Sequence, residues 1–175
     1  MNWREQIMFR MSQILRRLQL NIILKMGVSR SFAAYFKDFE KVAAVQEIFG
    51  EKTAEVLHSL KVDLTWLGGY MFVDNVNGHL VVNTRYLKKG NKLDIYLDLI
   101  HELYHVRQLM EGRELFDPRY SYVERPTEVE AYCYTVKEAR RLGLSDERIC
   151  EYLKTEWMSD RDLKVLAKAV NVNCC

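Results

Sequence analysis

Two histidines four residues apart, His101 and His105, enclose a glutamate, Glu102, that directly follows the first of them. Apolar residues at helical spacing surround them, and residues 93–111 contain neither glycine nor proline. Because four residues make about one helical turn, both imidazoles face one side and can bind one metal ion. Glu102 then lies where it can take a proton from a metal-bound water. The spacing predicts the metal-assisted hydrolysis carried out by zinc-dependent peptidases.

A metal bound by two histidines needs a third protein ligand, with the fourth position left to water and substrate. Pro126 and Thr127 predict a helix start, and two acidic residues, Glu128 and Glu130, follow in its first turn. Thr127 and Glu130 fit a capping box, in which Glu130 bonds back to the cap amide. Since that role leaves Glu128 free, we favour Glu128 as the third ligand and keep Glu130 as the alternative.

Two segments resemble the HExxH and ExxA pattern of small gluzincin metallopeptidases: residues 101–105 (HELYH) and 128–131 (EVEA). The similarity extends to minimal soluble gluzincins and to the catalytic domains of membrane-bound and repressor-cleaving members. It covers about residues 70–140 by motif and order of elements. The resemblance implies a catalytic Zn²⁺ bound by His101, His105 and Glu128, with Glu102 as the general base.

One position departs from that pattern. Many gluzincins have Asp or Asn four residues after the ligand glutamate, where it supports a metal-bound histidine, and this chain has Tyr132 there. A tyrosine hydroxyl can also donate a hydrogen bond. Because the partners of metal ligands tune ligand orientation and metal affinity, the contacts of Tyr132 bear on the strength of the site.

The segment before the predicted helix reads as a β-hairpin. Two runs rich in β-forming residues, 70–76 and 79–87, flank Asn77-Gly78, a dipeptide that accepts the positive φ of a tight turn. The resemblance implies that a sheet edge beside the active-site helix binds a protein or peptide substrate as an extended strand. His79, next to the turn, is expected to face solvent rather than the cleft.

The oxyanion of a peptidase reaction needs a hydrogen-bond donor opposite the metal. Three tyrosines are candidates for this catalytic role: Tyr120, Tyr122 and Tyr132. We rank Tyr122 first because it lies in the loop that faces the start of the second predicted helix.

Composition and periodicity predict an α+β fold that is mostly helical. It has a small antiparallel sheet or hairpin beside the HExxH helix, with extra helices at both termini. Helices are expected near 3–26, 31–60, 93–111, 127–142, 145–157 and 160–170. We divide the chain into an N-terminal helical region (1–60), a gluzincin-like core (61–143) and a C-terminal helical extension with its tail (144–175). One compact unit of 175 residues is expected to hold all three.

Residues 1–30 carry six basic side chains and one acidic, for a net charge of +5, whereas the whole chain is +2. Apolar residues recur there at helical spacing, which predicts a basic amphipathic helix. Such a helix could contact an anionic membrane surface or nucleic acid. The alternative, which we favour, is a helix packed on the core or on a second copy in a homo-oligomer.

The four cysteines, Cys133, Cys150, Cys174 and Cys175, show no metal-binding spacing. We expect a buried Cys133, free thiols at the C-terminus and a reducing, cytoplasmic location. A sharper hypothesis is that the tail folds back and a terminal thiolate occupies the open metal position, keeping the enzyme latent.

Two functions follow. The leading one is a cytoplasmic zinc endopeptidase. The other is a catalytically weak or inactive gluzincin-like module that docks a protein, membrane or nucleic-acid partner.

Overall fold

The computed structural model describes residues 29–66 and 69–174. The predicted basic helix at 3–26 and Cys175 lie outside the described residues. The strands are β1 (Arg30–Ser31), β2 (Lys61–Thr65), β3 (Met71–Val73) and β4 (Leu80–Asn83). The α-helices are α1 (Phe32–Tyr35), α2 (Ala43–Phe49), α3 (Thr53–Ser59), α4 (Thr84–Lys89), α5 (Lys92–Met110), α6 (Pro126–Arg141), α7 (Asp146–Leu153) and α8 (Asp160–Ala169). Short 3₁₀ turns occupy Phe39–Lys41, Gly50–Lys52 and Tyr122–Glu124. The α+β, mostly helical class is confirmed.

The strands form one four-stranded sheet in the order β1-β2-β4-β3. The expected antiparallel hairpin is confirmed by the β3–β4 pair, and the sheet as a whole is mixed because β2 pairs with β4 in parallel. The sequence prediction missed β2, because it assigned no element to the residues between the helix expected to end at 60 and the hairpin. Its pairing with β4 crosses the whole hairpin, and local periodicity does not report such a long-range contact.

The hairpin leaves β3 at one edge of this sheet. The amide of Asp74 donates to the carbonyl of His79 at 2.9 Å, and the amide of Asn83 donates to the carbonyl of Tyr70 at 3.0 Å. In an antiparallel pair the hydrogen-bonded positions alternate. The backbone groups of Met71 and Val73 therefore point away from β4, toward the outer side of the edge.

The predicted single helix over 31–60 is wrong. It is broken at Asp38, which adopts a left-handed φ of 62°, and again at Gly50, with φ 58°. Both conformations end a right-handed helix. The second strand also ends earlier than expected: Asn83 terminates β4, and its side chain accepts the amides of Arg85 and Tyr86 to start α4.

Helix α5 lies at the centre of the described fold. Its buried apolar side chains face several elements at once, and four of them have no exposed surface at all: Leu97, Leu99, Ile100 and Leu103. One cluster of buried apolar residues extends from Phe32 to Val172. Any polar side chain in the middle of α5 is therefore carried into the protein interior. The three-part division proposed from the sequence stays a prediction.

The C-terminal segment ends differently from the expectation. Cys150 in α7 forms a disulfide with Cys174, so Cys174 is not a free thiol, and Cys133 is exposed rather than buried. Since the Cys174 sulfur is bonded to α7, the hypothesis of a thiolate at the metal position is wrong for this cysteine. No helix among the described residues is both long and apolar enough to cross a bilayer.

Candidate metal centre

The two motif histidines lie in the second half of helix α5. The helix starts at Asn91, whose side chain accepts the amides of Leu93 and Asp94 and so satisfies two otherwise unpaired donors. From there the helix is regular for 19 residues. This regularity places His101 and His105 one turn apart on the side that faces α6.

The third member of the site is Glu128, in the first turn of α6. The Nε2 atoms of His101 and His105 are 2.9 Å apart. Glu128 Oε2 lies 3.2 Å from the first of these nitrogens and 3.4 Å from the second. Each of the three residues is only 5% exposed. The structure thus brings Glu128, and not Glu130, to the paired imidazoles.

Helix α6 starts in a way that the sequence interpretation did not anticipate. Pro126 is the first helical residue and Arg125 is the N-cap, so the expected capping box of Thr127 and Glu130 is wrong. The Thr127 hydroxyl instead donates to the carbonyl of Leu115 at 3.1 Å. This contact fixes the loop before α6 to the start of the helix, and Glu128 follows immediately.

Glu130 lies behind the site and is connected to it through Gln108. The Gln108 amide nitrogen donates to the carbonyl of Thr127 at 3.0 Å and to Glu130 at 3.2 Å. Its oxygen is therefore free to accept from His105 Nδ1, which lies 2.7 Å away. Arg113 in turn forms a two-point ion pair with the Glu130 carboxylate. His105 is oriented by this polar chain, with Nε2 directed toward Glu128.

His101 has different surroundings. Its Nδ1 atom is buried and has no hydrogen-bond partner among the described residues. The ring of Tyr132 packs against the imidazole with a centroid distance of 4.3 Å. The Tyr132 hydroxyl is instead 2.9 Å from the hydroxyl of Tyr122. Tyr132, which stands where many gluzincins have Asp or Asn, therefore contacts His101 by packing and not by a hydrogen bond.

The charges of these groups depend strongly on one another. Burial lowers the pKa of His101, and the neighbouring His105 lowers it further. Burial also disfavours a charged His105, but its contact with Glu128 and the charge of Glu102 raise its pKa to about 9. Although burial opposes it, the contacts with both histidines hold the pKa of Glu128 well below its usual range. The site therefore favours an ionised Glu128 that faces a positively charged His105.

Glu102 lies beside the cluster and is 8% exposed. Burial raises the pKa of its carboxyl to about 8, even though His105 opposes the change, and the carboxylates of Glu128 and Asp98 add to the increase. A backbone hydrogen bond from Val73 in β3 favours the ionised form. The carboxyl of Glu102 therefore binds its proton more tightly than an exposed glutamate does.

The donor set fits a divalent metal ion. Zn²⁺ binds imidazole nitrogen and carboxylate oxygen at about 2.0–2.1 Å, which keeps tetrahedral ligand atoms about 3.3 Å apart. The three distances here, 2.9, 3.2 and 3.4 Å, lie around that value. The group of His101, His105 and Glu128 could thus hold a metal ion, with one side facing the cleft.

The cleft has two parts that meet at His101, Glu102 and Tyr122. We call the first part the acidic half; its volume is about 160 Å³. It is lined by Tyr70, Tyr86, Asp94, Asp98, Glu151 and Thr155, among others. The second part, the apolar half, has a volume of about 190 Å³. It is lined by Phe72, Val73, Leu115 and Phe116.

The sequence-predicted residues divide between the cleft and the surface. Tyr122 lines both halves of the cleft, whereas Tyr120 is 43% exposed and lines neither. His79 binds Asp63 at 2.8 Å and lies outside both halves. Sequence reasoning missed Gln108, although its position three residues after His105 places it on the same helical face. Asp98 was also missed, although it precedes His101 by three residues and so lies on the same helical face as that histidine.

Comparison with protein-family models, curated proteins and solved structures found no match to this chain. The resemblance to gluzincins therefore stays a prediction from the two sequence motifs.

Proposed function

We propose that this chain is a zinc-dependent metallopeptidase of the gluzincin type. The observation that supports this best is the buried cluster of His101, His105 and Glu128, whose ligand atoms all lie within 4.8 Å of one another. Glu102 adjoins the cluster and lines both halves of the cleft. A structural metal site has no need of an adjacent carboxyl that exchanges protons near neutral pH.

A divalent metal bound by these three residues would polarise a water and a substrate carbonyl. Glu102 takes the proton of the attacking water, because its carboxylate faces the same space and its raised pKa makes it a stronger base than an exposed glutamate. The same carboxyl, now protonated, returns the proton to the leaving amine.

The paired tyrosines supply a hydrogen-bond donor in the cleft. Burial raises the pKa of Tyr122, with Tyr132 and Glu128 adding to the effect, so its hydroxyl stays protonated. We assign the stabilisation of the oxyanion to Tyr122, which Tyr132 holds in place through the contact between the two hydroxyls at 2.9 Å.

Substrate binding is assigned to the β3 edge. The outward-pointing amide and carbonyl of Met71 and the carbonyl of Val73 can pair with an extended peptide, and both residues line the cleft. A peptide bound there passes the Glu102 carboxyl, which already accepts the amide of Val73. Recognition through the main chain suits a protease that acts on extended segments.

One observation favours the second candidate, a catalytically weak or inactive docking module. His101 Nδ1 has no partner among the described residues, and Tyr132 stands where an oriented carboxylate would fix this imidazole. Loss of such a partner lowers metal affinity about 10- to 100-fold. The docking hypothesis would then assign the cleft to a bound partner that is not cleaved.

The two candidates are separated by zinc content and by digestion of a peptide library. The wild type is compared with Glu102→Gln, and Glu111→Gln serves as the matched control at the exposed end of the same helix. The peptidase predicts cleavage that Glu102→Gln abolishes while zinc is retained. Zinc binding by a wild type that cleaves nothing would support the docking module, and absence of both would contradict a metal site.

A further inference from the structure

The acidic half of the cleft carries more negative charge than hydrolysis requires. Three carboxylates besides Glu102 line it, and they belong to Asp94, Asp98 and Glu151. The one lining ammonium, Lys154, is bound to Asp160 at 3.0 Å. A cavity with this balance attracts a positively charged group.

Nearby cations neutralise only part of that charge. Arg148 forms an ion pair with Asp94, and its guanidinium lies 3.9 Å from the exposed carboxylate of Glu151. Asp98 belongs to none of the ion pairs formed by the described residues. It accepts hydrogen bonds from the hydroxyls of Tyr86, at 2.5 Å, and Tyr152, at 2.9 Å. Each of its oxygens keeps a further acceptor position.

Aromatic rings line the same cavity as these carboxylates. Tyr70 packs on Tyr86 with a centroid distance of 4.5 Å and on Trp157 with a distance of 5.4 Å. All three rings line the acidic half. Aromatic faces attract ammonium and guanidinium groups, and the attraction is greatest where the cation leaves bulk water. Carboxylates and rings therefore favour the same class of ligand.

A separate observation indicates that the cavity receives a polar group. The hydroxyl oxygen of Thr155 is buried, lines the acidic half and has no hydrogen-bond partner among the described residues. Buried hydroxyls are normally paired. An ammonium or guanidinium group entering the cavity would donate a hydrogen bond to this oxygen.

The position of the cavity relates it to the scissile bond. Asp98 precedes Glu102 by one turn of α5, which is about 6 Å along the helix axis. The extended side chain of a lysine or arginine is about as long. A residue that adjoins the bond attacked near Glu102 can therefore place its charged end beside Asp98.

We infer that the acidic half is a specificity subsite for a lysine or arginine side chain next to the cleaved bond. The inference rests on the proposed function, because it names the substrates that this peptidase would prefer. Asp98 and Glu151 are its specificity-determining carboxylates, and Tyr70, Tyr86 and Trp157 supply its aromatic rings.

The first test compares paired peptides in the zinc-loaded, full-length protein. The peptides are identical except that lysine on one side of the scissile bond is replaced by norleucine, which keeps the alkyl chain and removes the charge. We expect kcat/KM for the lysine peptide to be at least about tenfold higher. Equal cleavage of both peptides would overturn the subsite and leave the peptidase proposal standing.

Charge variants test which carboxylates cause the preference for the lysine peptide. Glu151→Lys changes an exposed side chain without altering the core and should lower the lysine preference about threefold. Asp98→Asn should lower it about tenfold, since its carboxylate lies deeper in the cavity. Glu55→Lys, exposed on α3 and outside the cleft, carries the same change in net charge and should leave the preference as in the wild type. A loss of preference in Glu55→Lys equal to that in Glu151→Lys would assign it to overall charge and contradict the subsite.

A binding measurement keeps the test independent of cleavage. N-acetyl-lysine N-methylamide and its norleucine counterpart are titrated into the zinc-loaded protein, and amide chemical shifts of Glu151 and Thr155 are followed by NMR. Stronger binding of the lysine compound supports the subsite even if no peptide is cleaved, which would contradict only the peptidase. Equal binding, or shifts that do not involve these residues, would overturn it.

Discussion

The two histidines of the candidate site share a helix and a facing carboxylate but are held in different ways. His105 is oriented by Gln108, and behind it by Glu130 and Arg113, in a continuous polar chain. His101 is held by the packed ring of Tyr132, and its Nδ1 has no described partner. One imidazole is therefore fixed in direction and tautomer, whereas the other is fixed mainly in position.

This difference shows that two candidate ligands of one metal site can be oriented to different degrees before a metal binds. A hydrogen bond to the far nitrogen of a ligating imidazole makes the ligand more basic and limits its rotation. Packing alone limits the volume available to a ring but does not select which nitrogen carries the proton. We therefore expect the metal affinity to depend more on the surroundings of His105 than on those of His101.

The largest expected effect comes from the shared ligand. Glu128→Gln keeps the shape of the side chain but removes the charge that faces both imidazoles. We expect zinc affinity, measured by competition with a chromogenic chelator, to fall by more than about a hundredfold. The matched control is Glu130→Gln, two residues along the helix, which acts only through Gln108 and should lose about tenfold. Equal losses in the two variants would contradict Glu128 as the ligand.

Asp98→Asn probes the His101 side of the helix through stability. Burial raises the pKa of Asp98 to about 6, against the lowering effect of the Tyr86 and Tyr152 hydroxyls. The unfolded chain ionises near 3.8, so the ionised carboxylate destabilises the folded state above pH 6, and this cost disappears below pH 3.8. The pKa difference corresponds to about 3 kcal/mol.

Urea unfolding in the presence of a chelator, at pH 4 and pH 7, measures this effect. Between these values the wild type should lose up to about 3 kcal/mol of unfolding free energy relative to Asp98→Asn. Parallel pH dependences in the two proteins would show that Asp98 ionises normally in the folded state.

The chain behind His105 is tested by Gln108→Ala. This change removes the acceptor for His105 Nδ1 and leaves the Thr127 carbonyl and the Glu130 carboxylate without the Gln108 nitrogen that donates to both. Zinc affinity is expected to fall about 10- to 100-fold. Gln46→Ala, exposed on α2, is the control for the loss of an amide. Unchanged affinity in Gln108→Ala would mean that His105 needs no orienting partner.

The smallest effect is expected for Tyr132→Phe. The ring that packs on His101 is kept, and the hydroxyl that is lost contacts Tyr122 and not the imidazole. Zinc affinity should stay within about threefold of the wild type, whereas kcat should fall if Tyr122 needs this contact for its orientation. A tenfold loss of zinc affinity would show that the tyrosine hydroxyl supports His101 after all.

The sequence predicts those parts of the site whose structure depends on residues nearby in the chain. A four-residue spacing inside an uninterrupted apolar pattern is enough to place His101 and His105 on one face of α5. Pro126 likewise marks the start of α6 to within one residue. In both cases the chemistry depends on residues within one or two helical turns.

What sequence reasoning missed depends on distant contacts. The preference for Glu128 rested on the motif resemblance and on a capping box that the structure does not contain; Thr127 bonds to Leu115 instead, and Glu130 bonds to Arg113. Neither partner is close enough in sequence for a local rule to identify. The break at Asp38 is similar: aspartate adopts the left-handed conformation more readily than most residues, but its type alone does not tell which aspartate will do so.

The exposed edge of β3 has a consequence beyond catalysis. A strand able to accept a peptide backbone is equally able to accept the same strand of another molecule, which is a common route to aggregation. This edge is only three residues long. Met71 offers its outward amide and carbonyl, whereas Val73 offers only its carbonyl because its amide donates to Glu102. So short a ladder offers few backbone hydrogen bonds to the same strand of a second copy, which disfavours edge-to-edge association.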